Sequence, residues 1–468
     1  MTFSIRLLAA SLCLISSLVF AQERQLRVGA ATSNITPPLG LPVVGGFAPY
    51  PSETVHDDLL ARCIVLDDGK TQVALVVADI IGIPHELAEA VRARVEETTG
   101  IPRGNVLVAA THTHSSSRGT GEYVPFLEWR IADAVQIARS RLRPAEVAFG
   151  SVEVPDHVFN RRWIMKDGTA PPSPFGTVDK VKMNPPRGSE NLVEPAGPID
   201  PTVSFVAFRE PDGRLISLLA AYSLHYVGGV TRAELSADYF GVFSRTLEDL
   251  QPDPPTPADA PFVAMMANGT SGDINNNDYG ASGPRERHGA YEKMGKVGRD
   301  IATRVHEAMK QLEWKGDADL EARHLDLEVP TRRIDDELVA WAETTLAEPE
   351  KDSAKTSLPR VFAQRVLTYA EAPETTLAPL HHLRIGDIGI GTFPGETFAE
   401  TGLAFKEKSP IPHAFMISFV NASLGYLPPE RHFALGGYET WPTICRVAPG
   451  SIETMLDTVL SLTQPSSK

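Results

Sequence analysis

Thr111-His112-Thr113-His114 places two imidazoles two residues apart. The tetrad closes an apolar run, Val106 to Ala110, and opens a small-residue loop, Ser115 to Gly119. A short apolar run bounded by turn formers reads as a buried strand, and residues two apart in a strand share a face. Both rings are therefore predicted to face one site, as a metal centre or a proton-transfer pair requires. An isolated His-x-His fits a surface loop equally well, so the reading turns on what else converges. His225 ends the apolar run that begins at Leu215, and Glu396 follows the run from Ile388 through Phe393-Pro394-Gly395. Asp273 and Asn275 follow the run from Phe262, and Asn421 and Tyr426 follow the run from Ala414. Taken singly, a strand-end histidine reads as a hydrogen-bonded core residue, and an acid after Pro-Gly as a helix-start carboxylate. Taken jointly, His112, His225 and Glu396 are nitrogen and oxygen donors of the kind that hold zinc and leave one position for water.

These strand ends need a scaffold that gathers them. Val73–Ala78 reads as a buried strand, Pro84–Thr99 as a helix stopped by Gly100, Val106–Ala110 as a strand and Tyr123–Arg141 as a helix. Further strands are predicted over 145–154, 203–208, 215–226, 262–267, 383–392 and 414–420, and further helices over 239–250, 290–312, 335–346, 398–406 and 452–462. This alternation predicts an α/β fold, a mixed central sheet flanked by helices, with the site at the carboxyl ends of the strands. Two proline-rich stretches, 166–201 and 251–261, are predicted to be long surface loops of the kind that form lids or insertions. No internal repeat and no linker is evident, so residues 22–468 read as one domain.

Bulk properties exclude several classes. A formal net charge of −15 with no basic stripe argues against nucleic-acid binding. Residues 1–21, with Arg6, an apolar stretch from Leu7 to Phe20 and small residues before Gln22, read as a secretory signal peptide, so export to the periplasm or medium is expected. No later apolar run is long enough to span a bilayer. Of the three cysteines, Cys13 lies in the leader; Cys63 and Cys445 could pair after export, but do not make a disulfide scaffold. The Asp273–Asp278 run has a calcium-loop composition, yet Pro284 stands where an EF-hand needs its bidentate Glu, so calcium is not expected.

Together, THTHS at 111–115, His225, Ser271-Gly272-Asp273, FPGE at 393–396 and the downstream GY…GYE resemble the neutral/alkaline non-lysosomal ceramidases over roughly residues 26 to 445. The resemblance implies a ceramidase-like catalytic domain and zinc held by His112, His225 and Glu396, with Tyr426 at the metal. It places His114, Arg161 and Tyr438 on the substrate side, as candidates to stabilise the oxyanion of amide hydrolysis. The family motif reads GDVSPN; here Asn275 occupies the place of its serine, and Asn hydrogen-bonds but cannot act as a nucleophile. Ser271 and Thr270 are offset from that position. The family's C-terminal immunoglobulin-like domain is not expected, since the sequence ends shortly after Tyr438. The implied activity is hydrolysis of the N-acyl bond of ceramide or a related lipid, with peripheral contact to lipid. Two readings stay open beside it: a zinc hydrolase of a soluble amide or ester, and a metal- or ligand-binding homologue without turnover.

Overall fold

The computed structural model describes residues 25–46, 49–250, 259–284, 286–349 and 357–464. The leader-like segment 1–21 and most of the proline-rich 251–261 lie outside the described residues.

The expected mixed sheet flanked by helices occurs three times over. The first sheet runs through Arg27–Asn34, Leu60–Asp67, Gln72–Ala78 and Val106–Ala110, each antiparallel to the one before except the last, which is parallel to its neighbour. The second repeats this order with Glu146–Glu153, Thr202–Arg209, Leu215–Tyr222 and Val263–Asn268. The third does so with Leu320–Pro330, Thr375–Ile385, Ile388–Thr392 and His413–Ile417. A parallel pair needs a crossover, and in each unit a helix supplies it: His85–Thr99, Asp238–Asp249 and Ala399–Lys408. A second helix then closes each unit: Val124–Ser140, Glu292–Met309 and Ser451–Ser461. The chain is thus a threefold structural repeat, against the expectation of none. Its units share a topology rather than a motif, and a topology leaves no residue period to find.

Side-chain alternation assembles the three sheets. Inward-facing residues such as Leu66, Leu75 and Leu107 of the first sheet meet Phe208, Leu219 and Met265 of the second and Leu383, Ile390 and Phe415 of the third in one shared core. Outward-facing residues form three separate cores against the helix pairs. Val65, Val76 and Val108 pack on Val91 and Ile131; Phe205 and Met266 pack on Phe243 and Ile301; Leu380 and Met416 pack on Phe405 and Met455. Strands covered on both faces read as continuous apolar runs, which is why the sequence exposes the strands but not which face is which. Each fully buried large aliphatic side chain contributes about 1.5–3 kcal/mol.

Local differences from the sequence reading have local causes. The segment 383–392 is not one strand but the end of Thr375–Ile385 and all of Ile388–Thr392, because Gly386, at φ 59°, turns the chain into a hairpin. The stretch 166–201 is not a bare loop: Val181–Met183 and Leu192–Pro195 flank Arg162–Met165 as a small sheet. The helix Leu358–Ala370 was not predicted, although Pro359 in its first turn is a helix-start signal. With Asp336–Ala347 it forms a helical pair between the first two strands of the third sheet. Cys63 and Cys445 are both free and buried in different cores, so they are not bridged.

Asn421 couples the first and third units. Fully buried, it accepts from Val108 N at 2.9 Å, donates to Val106 O at 3.2 Å, and lies 2.9 Å from His381 Nε2. Asn421→Ala leaves these buried groups without partners, and should lower stability by about 2–4 kcal/mol. A urea midpoint followed by circular dichroism that matches the parent chain would contradict this coupling.

Candidate metal and active site

The site lies where strand ends from all three units meet. His112 follows the parallel edge strand of the first unit, His225 follows the third strand of the second, and Glu396 follows the third strand of the third. The strand ends at Ala110, so strand alternation does not aim His112 and His114 together. The turn does: His112 adopts φ 69°, a conformation few non-glycine residues take, while its N–H donates to Ile80 O.

Backbone carbonyls fix every imidazole. His112 Nδ1 lies 2.5 Å from Ile81 O, His114 Nδ1 2.9 Å from Gly45 O, and His225 Nδ1 3.0 Å from Ser271 O. A carbonyl only accepts, so each Nδ1 carries the hydrogen. Burial disfavours a second proton, holding His112 at about 3 and both His114 and His225 well below the usual histidine range. Each Nε2 is then a bare lone pair. The three converge: His112 Nε2 is 3.1 Å from His225 Nε2 and 3.0 Å from His114 Nε2. Glu396 Oε2 lies 3.5 Å from His112 Nε2 and 3.6 Å from His225 Nε2, buried and without a hydrogen-bond partner.

Lone pairs facing one another at hydrogen-bond distance with no proton between them repel, unless a cation sits among them. Tetrahedral zinc at about 2.0–2.1 Å from nitrogen sets its ligands roughly 3.3 Å apart, close to the spacings found. The donor set fits zinc. Stacking holds the rings: Phe419 lies 4.2 Å from the His112 ring and Tyr226 3.8 Å from the His114 ring, centroid to centroid. Two glycines allow the close approach. A Cβ on Gly272 would meet Glu396 O at 2.3 Å, and one on Gly45 would meet His114 O at 2.4 Å.

A buried ionic triad stands behind these ligands. Glu439, fully buried, accepts from Arg161 Nε at 3.0 Å and from Arg162 Nη1 at 2.6 Å. Arg161 Nη2 donates to Tyr426 Oη at 2.9 Å. Burial raises the Glu396 carboxyl to about 7, against the pull of the Tyr426 hydroxyl and Arg161. Tyr438 lines the same cavity as His112, His114, Glu396 and Tyr426, its ring 5.5 Å from that of Tyr426. The structure thus gathers His112, His114, His225, Glu396, Tyr426, Arg161 and Tyr438.

Residues 26–293 match the family model described as neutral/alkaline non-lysosomal ceramidase, N-terminal. The chain belongs to that family. Its fold matches neutral ceramidase from Pseudomonas aeruginosa with a TM-score of 0.68 at 19% identity, covering 94% of this chain and 74% of that one. A second structure, a ceramidase complexed with C2, gives 0.68 at 18% identity, covering 94% and 75%. The family makes this chain a ceramidase-like hydrolase. His114 Nε2 lies 3.0 Å from His112 Nε2, so both rings of the pair face one site as expected. One sequence assignment changes. Asn275 is not brought to the cavity: it pairs with Phe159 in a two-stranded ribbon, and its side chain bonds Asn184 at 3.1 Å and Asn277 at 2.8 Å. The neighbouring Ser271-Gly272-Asp273 positions the site instead. Ser271 O holds His225, Gly272 N donates to Thr397 O, and Asp273 Oδ1 accepts from Ala399 N at 2.9 Å at the start of a helix. Glu439 was visible in the sequence only as the acid of GYE.

Glu439→Gln keeps the shape but leaves Arg161 and Arg162 buried beside a neutral amide. Breaking a buried ion pair in this way costs about 3–5 kcal/mol. The urea midpoint should fall accordingly, and an unchanged midpoint would show that the triad is not what holds Arg161 in place.

Proposed function

We propose that this chain is an exported zinc-dependent amidohydrolase that cleaves an N-acyl bond, with ceramide or a related N-acyl lipid as the substrate class its family suggests. The observation carrying this reading is the convergence of bare imidazole nitrogens with the orphaned Glu396 oxygen. His112, His225 and Glu396 are the proposed ligands, with Tyr426 beside them and His114 on the substrate side. Zinc bound there would supply a water of lowered pKa and polarise the acyl carbonyl.

The remaining roles belong to the chain's own residues. In hydrolysis, water oxygen bonds the acyl carbon, the carbon–nitrogen bond breaks, and the amine leaves with a proton. Tyr438 lines the cavity, and burial pushes its hydroxyl up to about 12, so it remains a hydrogen-bond donor at neutral pH that would hold the developing oxyanion. Arg161, fixed by Glu439, adds positive charge from behind Tyr426, to which it donates. Neutral His114, with Nδ1–H committed to Gly45 O, offers Nε2 as a proton acceptor. Because Asn275 lies outside the cavity, the replacement of the family serine there does not count against turnover. Access from a membrane would be peripheral: no helix among the described residues is long and apolar enough to cross one.

Zinc content by mass spectrometry, paired with release of fatty acid from short-chain ceramide and from soluble N-acyl amides, tests the reading. The parent chain should hold one zinc and hydrolyse at least one of these substrates. His112→Ala should lose the metal and about 10³-fold or more in rate, the order expected when catalytic electrostatics are removed. His114→Ala should keep the metal and lose turnover. Zinc lost from His114→Ala would move that residue into the ligand set; zinc retained unchanged in His112→Ala would refute the centre.

A further inference from the structure

Three arginines crowd the mouth of this cavity. Arg118 comes from the loop after the histidine pair, Arg365 from the helix Leu358–Ala370, and Arg446 from the segment after Cys445; all three line the space of about 310 Å³ that His112 and Glu396 also line. Arg118 and Arg446 continue with His112 into an adjoining space of about 410 Å³. Among the described residues, no carboxylate lies within ion-pair distance of any of them, whereas the buried Arg161 and Arg162 behind the site both pair with Glu439. Arg446 donates to Ser423 O and lies over the Tyr369 ring, while its Nε is buried with no hydrogen-bond partner.

The balance of charge is unusual for this chain. The protein carries −15 overall, yet the two adjoining spaces at the proposed zinc centre are lined by three guanidiniums without a salt-bridge partner against the carboxyls of Glu396 and Glu86. Like charges held together in a low-dielectric cleft focus a positive field and select an anion, and guanidinium forks match carboxylate and phosphate geometry. Beyond Arg118 and Arg365 the wall becomes apolar, with Leu41, Pro42, Val44 and Tyr123 around a further space of about 310 Å³ that suits an acyl chain.

We propose that Arg118, Arg365 and Arg446 form an oxyanion-binding subsite, and that the substrate is an N-acyl amine carrying a carboxylate or phosphate close to the scissile amide. The inference rests on the hydrolase reading for the word substrate, but the subsite itself does not depend on turnover.

Calorimetry of the zinc-loaded protein with non-hydrolysable sulfonamides separates the two. N-dodecylsulfonylglycine carries a carboxylate, N-dodecylsulfonyl phosphoethanolamine a phosphate, and N-dodecylsulfonyl ethanolamine neither. The anionic ligands should bind about tenfold or more tighter than the neutral one. Arg446→Gln and Arg365→Gln should each erase most of that preference. Arg118→Gln, at an exposed position where folding is not at stake, should reduce it as well. Whichever anionic ligand gains more names the group. Equal binding of the neutral ligand, or a preference unchanged in all three variants, would overturn the subsite. A clear preference together with no hydrolysis of N-lauroylglycine, N-lauroyl phosphoethanolamine or ceramide would keep the subsite and sink the hydrolase reading. A clear preference in binding, with kcat/KM higher for N-lauroylglycine or N-lauroyl phosphoethanolamine than for ceramide, would support both; ceramide preferred in turnover would refute an anionic substrate.

Discussion

Three nitrogen lone pairs and one carboxyl oxygen face the same point, and no imidazole has a proton to share there. Their arrangement explains much of what surrounds them. Each imidazole is locked in one tautomer by a carbonyl from a different part of the chain: Ile81, Gly45 and Ser271. Such outer partners orient a ligand and raise its basicity. Two of the tightest backbone approaches, at Gly45 and Gly272, occur where these carriers touch their neighbours. A cluster of unprotonated donors in a buried site is costly unless a cation compensates it, and the donor set is of the kind that can hold one.

The threefold repeat accounts for how residues so distant in sequence arrive together. Every unit ends its third and parallel fourth strands on the same side, and the shared core holds the three sheets in fixed relation. Equivalent positions then take different tasks. The first unit supplies the carbonyls of Ile80 and Ile81 after its third strand and the histidines after its fourth. The second supplies His225 after its third strand and the Ser271-Gly272-Asp273 turn after its fourth. The third supplies Glu396 and then Asn421 and Tyr426. Insertions concentrate between the first two strands of a unit, and the helical pair placed there in the third unit brings Arg365 to the cavity.

Sequence reading went furthest where the signal was local. Most helices and apolar strands were legible within a residue or two, because caps, glycines and hydrophobic runs are written in short windows. His112, His225 and Glu396 were legible because each ends such a run with a donor side chain. The repeat was not, since strands buried on both faces carry no mark of which core they serve. The setting of Asn275 is hidden for a related reason. Its position in a motif was readable, but the pairing of Ile274 with Asn160, which sends the Asn275 side chain toward Asn184, depends on a partner far away in sequence. Glu439, Arg118, Arg365 and Arg446 look like ordinary surface charges until folding brings them together or buries them.

The seam between the first and third units bears the strain of this arrangement. His112, Phe419 and Asn421 all hold positive φ, at 69°, 60° and 58°, and each such residue costs on the order of 1–3 kcal/mol. They are adjacent in space: Ala110 N donates to Phe419 O, Asn421 N donates to Val108 O, and the Phe419 ring lies on His112. Relaxing any one would break hydrogen bonds made by the others, so the strain persists because it is shared. A turn held this firmly before substrate arrives keeps the His112 nitrogen in place without reorganisation, which is the condition under which electrostatic catalysis is most effective. The seam is therefore better understood as the device that fixes the centre than as a defect tolerated beside it.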